Sequence, residues 1–263
     1  MIVVTGATGN VGRPLMDLLG DKAIGVSRPQ VDLARPSTLE PAVAGAEALF
    51  LLFAGDLLGP DTNIADVLDV AKAGGVRRVV LLSSQGAGTR PGMVPHSRLA
   101  GFEEAVRQSS LEWTILRPNG FFTNTYAWVQ PIREHGVAAA PFADVALPFI
   151  DPADIAAVAA VALEGGHEGR TYELTGPEAM TPRQRAEALS LATGRGIRFV
   201  EQSVEEAREQ MLQFMPPPVV DGTLTVLGSP TAEEQQVSGH VGQVTGRAAT
   251  RFADWAARNA KAF

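Results

Sequence analysis

The sequence predicts an α/β fold: a doubly wound parallel sheet carrying a smaller C-terminal α/β lobe. Two observations carry that expectation. A β-branched run at residues 2–4 enters three glycines spaced three apart, Gly6, Gly9 and Gly12, and an apolar helical stretch follows at once. Short runs of strand length then alternate with stretches of helical periodicity through the first half of the chain. These runs are apolar throughout rather than alternating, as in strands covered by helices on both faces.

In chain order, strands are expected at residues 2–4, 23–26, 48–53, 79–82 and 113–116. They end at Thr5-Gly6, Ser27-Arg28-Pro29, Ala54-Gly55, Ser83-Ser84 and Arg117-Pro118. Helices fall between them at 14–19, 37–43, 63–73 and 97–108. The later part is less regular. Residues 154–164 carry apolar positions at helical spacing, with Asp154 as their N-cap, and residues 171–174 form a short strand. Thr181-Pro182-Arg183-Gln184 and Ser203-Val204-Glu205-Glu206 both have the form of a capping box, and Gly194 closes the first of these two helices. Pro216 to Pro218 is read as a stiff break, and residues 250–262 as an amphipathic helix carrying Phe252 and Trp255. The expected division is a dinucleotide-binding unit at 1–145 and a smaller, substrate-covering lobe at 146–263, interleaved with it.

Composition narrows the function. A net charge of -7 without any basic block makes nucleic acid and anionic membranes poor partners. The absence of cysteine excludes disulfides, thiolate nucleophiles and cysteine-bound metals, and no His/Asp/Glu spacing suggests a metal site. No secretion signal is evident and the longest apolar stretch, at 155–163, is too short to cross a bilayer, so a cytoplasmic location is expected.

The chemistry begins at the glycine turn. A strand, a tight turn and a helix together aim backbone N–H groups and the positive helix end at a pyrophosphate. Glycine is needed there because a Cβ would block the turn, the phosphate or the helix packing. Thr5, Gly6, Thr8, Gly9, Asn10, Val11 and Gly12 are therefore expected to hold a dinucleotide. The second strand ends in Ser27-Arg28, with no carboxylate before Asp32. An arginine fork suits a 2′-phosphate, whereas sites for the unphosphorylated cofactor usually end this strand in an acid. NADP(H) is favoured over NAD(H) on that ground, the alternative being that Arg28 is a solvated loop residue. Phe53, Ala54 and Gly55 are expected beside the adenosine half or the phosphates, and Ser83, Ser84 and Gln85 beside the nicotinamide.

Several segments together resemble a known group. Val4-Thr-Gly-Ala-Thr-Gly-Asn-Val-Gly12, the Ser83-Ser84 strand end and Trp113-Thr-Ile-Leu-Arg-Pro-Asn-Gly-Phe-Phe-Thr-Asn124 resemble the atypical short-chain dehydrogenase/reductases. Phe149-Ile-Asp-Pro-Ala-Asp154, Gly169-Arg-Thr-Tyr-Glu-Leu-Thr-Gly-Pro177 and Thr245-Gly-Arg-Ala-Ala-Thr-Arg-Phe252 fit the same pattern. Within the group the chain is most similar to the NmrA-like branch, which holds NAD(P)H:quinone oxidoreductase type 2 proteins and redox-sensing regulators. The resemblance implies a Rossmann-type fold, a 2′-phosphate role for Arg28, and adenine contact by Asp32-Leu33; a plain turn role for Asp32 stays open.

One departure from the wider group matters most. Short-chain reductases usually carry a Tyr-x-x-x-Lys pair on the helix after the Ser83-Ser84 strand, with tyrosine as the general acid. The chain has two tyrosines, Tyr126 and Tyr172, and neither lies there. His96, near the start of that helix, and a Ser84 relay are the candidate proton donors, beside water and beside a His96 with no chemistry. Asn119, Phe121, Phe122 and Tyr126, with Gln85, are expected to wall a pocket for a small, flat, apolar substrate, though Phe121 and Phe122 suit a core equally well. Phe142, Phe149 and the segment Met211 to Met215 are candidates to cover it. The leading expectation is an NADPH-dependent reductase of quinones or related planar carbonyl compounds, forming a possible homodimer. The alternative is a non-catalytic NADP(H)-binding sensor acting through a regulatory protein partner. An epimerase or dehydratase fits less well, because it needs the missing tyrosine.

Overall fold

The structure, a computed structural model, describes residues 1–263. Six parallel strands form the main sheet: β1 (Ile2–Thr5), β2 (Ala23–Val26), β3 (Ala48–Leu52), β4 (Arg78–Leu82), β5 (Glu112–Pro118) and, after the short β6 (Val137–Ala140), β7 (Arg170–Leu174). Their order is β2-β1-β3-β4-β5-β7. The chain runs outward from β1 to β2 and then crosses back to β3 on the other side of β1, so the strand order reverses beside β1. That reversal is where open parallel sheets bind ligands, outside the carboxyl ends of the strands.

The apolar strands are explained by what covers them. Successive residues of a strand face opposite sides. Leu49, Leu51, Val79 and Leu81 pack into one core with the helices Ile64–Ala73 and His96–Gln108. Their neighbours Ala48, Phe50, Val80 and Leu82 pack into a second core with helices Gly12–Leu19 and Pro152–Glu164. Both faces are therefore buried, and a polar residue on either would lose its water.

The later residues are divided between the main sheet and a smaller layer. The strand expected near 171–174 is β7, the sixth strand of the main sheet, paired with β5. The smaller layer is the parallel pair β6 and β8 (Arg198–Glu201), with a third core built from Phe122, Trp128, Phe149, Leu189, Phe252 and Trp255. Both expected capping boxes are formed, at Thr181 with Gln184 and at Ser203 with Glu206. Gly194 ends its helix in the left-handed conformation.

Three local expectations differ. Residues 37–43 form no continuous helix: Pro36–Leu39 is a 3-10 turn and Glu40–Val43 a single helical turn. Pro41 lacks the N–H that a continuous helix would donate to the Ser37 carbonyl. Pro217 and Pro218 open the helix Pro217–Gly228 instead of breaking the chain, since first-turn N–H groups have no partner anyway. Asp151 rather than Asp154 caps the helix Pro152–Glu164, accepting the Ala153 N–H at 3.0 Å. Asp154, fully buried, accepts from Arg247 Nη1 at 2.6 Å and from the Thr250 N–H at 2.7 Å. It ties the C-terminal segment to the helix Pro152–Glu164. No helix is long and apolar enough to cross a membrane.

Candidate active site

Two cavities lie side by side at the carboxyl ends of the strands. The first, about 270 Å³, sits over β1, β2 and β3 and is walled by Thr5, Gly6, Thr8, Gly9, Arg28 and Ala54, with Val31, Leu33, Leu52 and Leu57 as its apolar side. The glycine turn is built for close approach. Gly6 has a φ of +65°, which L side chains rarely adopt. A Cβ on Gly12 would lie 2.1 Å from the Gly6 carbonyl oxygen. Helix Gly12–Leu19 has no side-chain cap; Arg13 donates to the Gly9 carbonyl at 3.0 Å and Pro14 has no N–H, which leaves the Gly12 N–H to an anion. These features fit a pyrophosphate.

Several expected cofactor residues play supporting parts. The Thr5 hydroxyl donates to the Phe50 carbonyl at 3.0 Å and accepts the Leu52 N–H at 2.9 Å, stitching β1 to β3. Asn10 reaches Thr123 at 3.2 Å, and Val11 is buried beneath the turn. The Phe53 side chain is in the core, its ring 4.7 Å from that of Phe102, so the cavity wall is Ala54 instead. Gly55 makes the turn that follows, with φ +60°. The Asp32 carboxylate accepts the Ala34 N–H at 3.2 Å and pairs with Arg35 at 3.1 Å, which is the turn role; Leu33, not Asp32, lines the cavity.

The second cavity, about 340 Å³, lies over β4 and β5. Ser83, Ser84, Gln85, His96, Asn119 and Phe121 all line it. The Ser83 hydroxyl donates to Glu103 at 2.6 Å, so its proton is engaged. Glu103 is 1 % exposed and also accepts from Arg117 Nη2 at 2.6 Å and Arg107 Nη2 at 2.8 Å. Burial alone would raise its pKa, but the hydrogen bonds from Arg117, Ser83 and Arg107 outweigh it and hold Glu103 ionised. The Ser84 hydroxyl accepts the Gly86 N–H at 3.3 Å, capping its own helix and leaving its proton free.

His96 lies flat against Gly86: a Cβ there would come within 2.4 Å of the ring's Nδ1 and Cε1. Its Nδ1 is buried with no protein partner. Burial pushes its pKa below the ordinary histidine value, so the ring is neutral at pH 7. Asn119 and Gln85 line the cavity, but their amides bind each other and the chain above. Asn119 Nδ2 donates to Gln85 Oε1 at 2.6 Å and to the Glu234 carbonyl at 3.1 Å, and Gln85 Nε2 donates to the Glu233 carbonyl at 3.3 Å. Phe122 and Tyr126 lie elsewhere. Phe122 packs edge-on against Phe252 in the third core. Tyr126 stacks near Trp255 and Phe263 and donates to Asn259 at 2.7 Å. Both lie on the 3-10 turn Phe122–Trp128 that follows the strand end, which buries Phe122 and leaves Tyr126 exposed.

The cover was only partly legible. Phe149 lines the cavity, but Phe142, Met211 and Met215 pack into a separate small cluster with Val220 and Leu224. Thr223, Val226 and Leu227 of helix Pro217–Gly228 form the roof, together with Leu147. Glu234 completes it, 1 % exposed, receiving Arg90 through two nitrogens at 2.7 and 2.8 Å and the Thr89 hydroxyl at 2.7 Å. Burial opposes ionisation of Glu234, yet these donors and the Thr231 N–H bring its pKa down to about 2. No lysine or arginine lines the cavity, and its one carboxylate is fully paired.

A glycine turn shaped for a pyrophosphate at a strand-order reversal, with an apolar cavity at the adjoining strand ends, defines a dinucleotide-dependent α/β protein. Comparison with known proteins gives the family. Residues 21–165 match a family model described as NAD(P)H-binding. The chain is 38% identical to the (4-alkanoyl-5-oxo-2,5-dihydrofuran-3-yl)methyl phosphate reductase of Streptomyces griseus, covering 100% of this chain and 99% of that protein. It is 32% identical to the NAD(P)H azoreductase of Xenophilus azovorans over the same shares of both. The NADPH-dependent quinone oxidoreductase of Escherichia coli, solved with NADPH, superposes with a TM-score of 0.82 at 25% identity, covering 98% of this chain and 99% of that one. The chain belongs to the NAD(P)H-binding family, and it is an NAD(P)H-dependent oxidoreductase.

Proposed function

We propose that the protein reduces uncharged planar carbonyl compounds, quinones foremost, with NADPH preferred to NADH. The observation that carries the reading is the second cavity: largely apolar, free of unpaired charge, and lacking a phenol or amine at the strand end. When bound, the cofactor supplies a hydride. The chain's part is then to bind, to exclude water and to deliver one proton. A quinone suits this site because it accepts hydride readily and asks for no strong acid. Ser84, whose proton is free, and the ring of His96, which lines the same cavity, are the groups that can supply that proton. Phe121, Phe149 and Leu227 hold the flat face of the acceptor.

The Streptomyces relative is named for a phosphate ester. This cavity offers no free cation to receive a phosphate, and burying an unpaired dianion is costly. The NADPH preference rests on Arg28 at the rim of the first cavity and on the absence of an acid at the end of β2. The test is steady-state NADPH oxidation with a neutral naphthoquinone and with its sulfonate. The neutral compound is expected to have a kcat/KM higher by at least ~10-fold, about 1.4 kcal/mol of transition-state binding. Equal values would refute the substrate class.

A further inference from the structure

We infer that Asp56 is a built-in competitor for the cofactor's 2′-phosphate and so sets how far the protein distinguishes NADP from NAD; this rests on the reading of Arg28 given above. Arg28 Nη1 lies 2.9 and 2.7 Å from the two carboxylate oxygens of Asp56. Arg28 lines the first cavity at the end of β2, and Asp56, itself outside that lining, already engages one guanidinium nitrogen that an anion on the adenosine ribose would use. The position of Asp56 is fixed by its surroundings. Gly55, at φ +60°, turns the chain away from β3, and Leu57 buries itself in the wall of the same cavity. Asp56, between them, is thereby presented to the arginine.

A carboxylate and a phosphate cannot share one guanidinium nitrogen without like-charge repulsion. A dinucleotide carrying the 2′-phosphate has to draw Arg28 away from Asp56 or meet the repulsion of its carboxylate, whereas one without it does not. Both side chains are well exposed, 55% for Arg28 and 71% for Asp56, and exposed pairs are weak. The displacement is therefore attainable and its effect on affinity moderate. The acid that usually marks a site for the unphosphorylated cofactor stands at the end of the second strand. Here an acid stands instead after the third strand and acts through the arginine.

The experiment is calorimetric titration of the full chain with NADP+ and with NAD+, for the wild type, Asp56→Asn, Arg28→Ala and the double variant. Since both side chains are exposed, the variants keep the fold, which a thermal melt checks. Asp56→Asn is expected to tighten NADP+ binding about threefold to tenfold. It should leave NAD+ unchanged within about twofold, and the gain should vanish when Arg28 is also removed. An unchanged ratio of NADP+ to NAD+ affinity in Asp56→Asn, with Arg28→Ala still weakening NADP+, overturns the role of Asp56 alone. An Arg28→Ala variant that binds NADP+ as the wild type does overturns the reading of Arg28, and the role of Asp56 with it.

Discussion

At the scale of single residues, the site depends on which polar atoms are already engaged. Ser83 and Ser84 are adjacent and look alike in the sequence, yet Ser83 gives its proton to Glu103 and Ser84 keeps its own. That difference was not legible, because Glu103 lies 20 positions further along the chain. Gln85 and Asn119 were legible as cavity residues, but not as the pair that holds the covering chain. His96 gives two predictions. As the proton donor it acts in its imidazolium form, whose pKa burial holds below the usual ~6.5. kcat should therefore fall as pH rises through that lowered value, and His96→Ala should flatten the profile and lower kcat with little change in KM. A profile unaltered by the substitution would remove His96 from the chemistry. Gly86→Ala should mimic the loss, because the new methyl meets the imidazole ring and displaces it. NADPH affinity, read by titration, should stay as in the wild type.

Among the elements, the main-sheet strands and the capped helices were the legible part, since each follows from a pattern confined to a few neighbouring residues. Strands β1 to β5 announce themselves as apolar runs, and the capping boxes at Thr181 and Ser203 by spacing alone. Elements decided by distant partners were not legible. Asp151 and Asp154 stand three apart at one helix start; only the fold shows that the first caps and the second binds Arg247 and Thr250. The glycine turn gives the sharpest test at this scale. Gly12→Ala puts a methyl 2.1 Å from the Gly6 carbonyl, so the turn has to open. Overpacking of this kind costs about 1–3 kcal/mol, to be read in a denaturant melt. NADPH binding should be lost along with it if the pyrophosphate lies on this turn, because its N–H groups are then displaced. A variant that binds NADPH normally would place the cofactor elsewhere.

For the whole molecule, the C-terminal segment matters out of proportion to its length. After the roof helix Pro217–Gly228 the chain returns across the site, fixed by Glu234 to Arg90, and then runs down to Asp154 and the Phe252–Trp255 core. Because the folded pKa of Glu234 is depressed to about 2, its contribution is complete above the ordinary glutamate value of ~4.3. It is lost as pH falls from there toward 2. Glu234→Gln should therefore remove part of the wild type's stability at pH 7 and flatten the decline over that window, as followed by thermal melts. The sheet and the glycine turn were legible in the sequence but not this strap, whose partners lie up to 148 positions apart.

The central claim is that a dinucleotide on the glycine turn reduces a neutral planar acceptor held under the strap. The most direct measurement is the rate of NADPH oxidation on adding a neutral naphthoquinone, with NADPH binding followed in parallel by calorimetry. Saturable turnover, inhibited competitively by NADP+, is the predicted result. Tight NADPH binding with no oxidation by any neutral quinone would contradict it, and would favour a dinucleotide sensor acting through another protein.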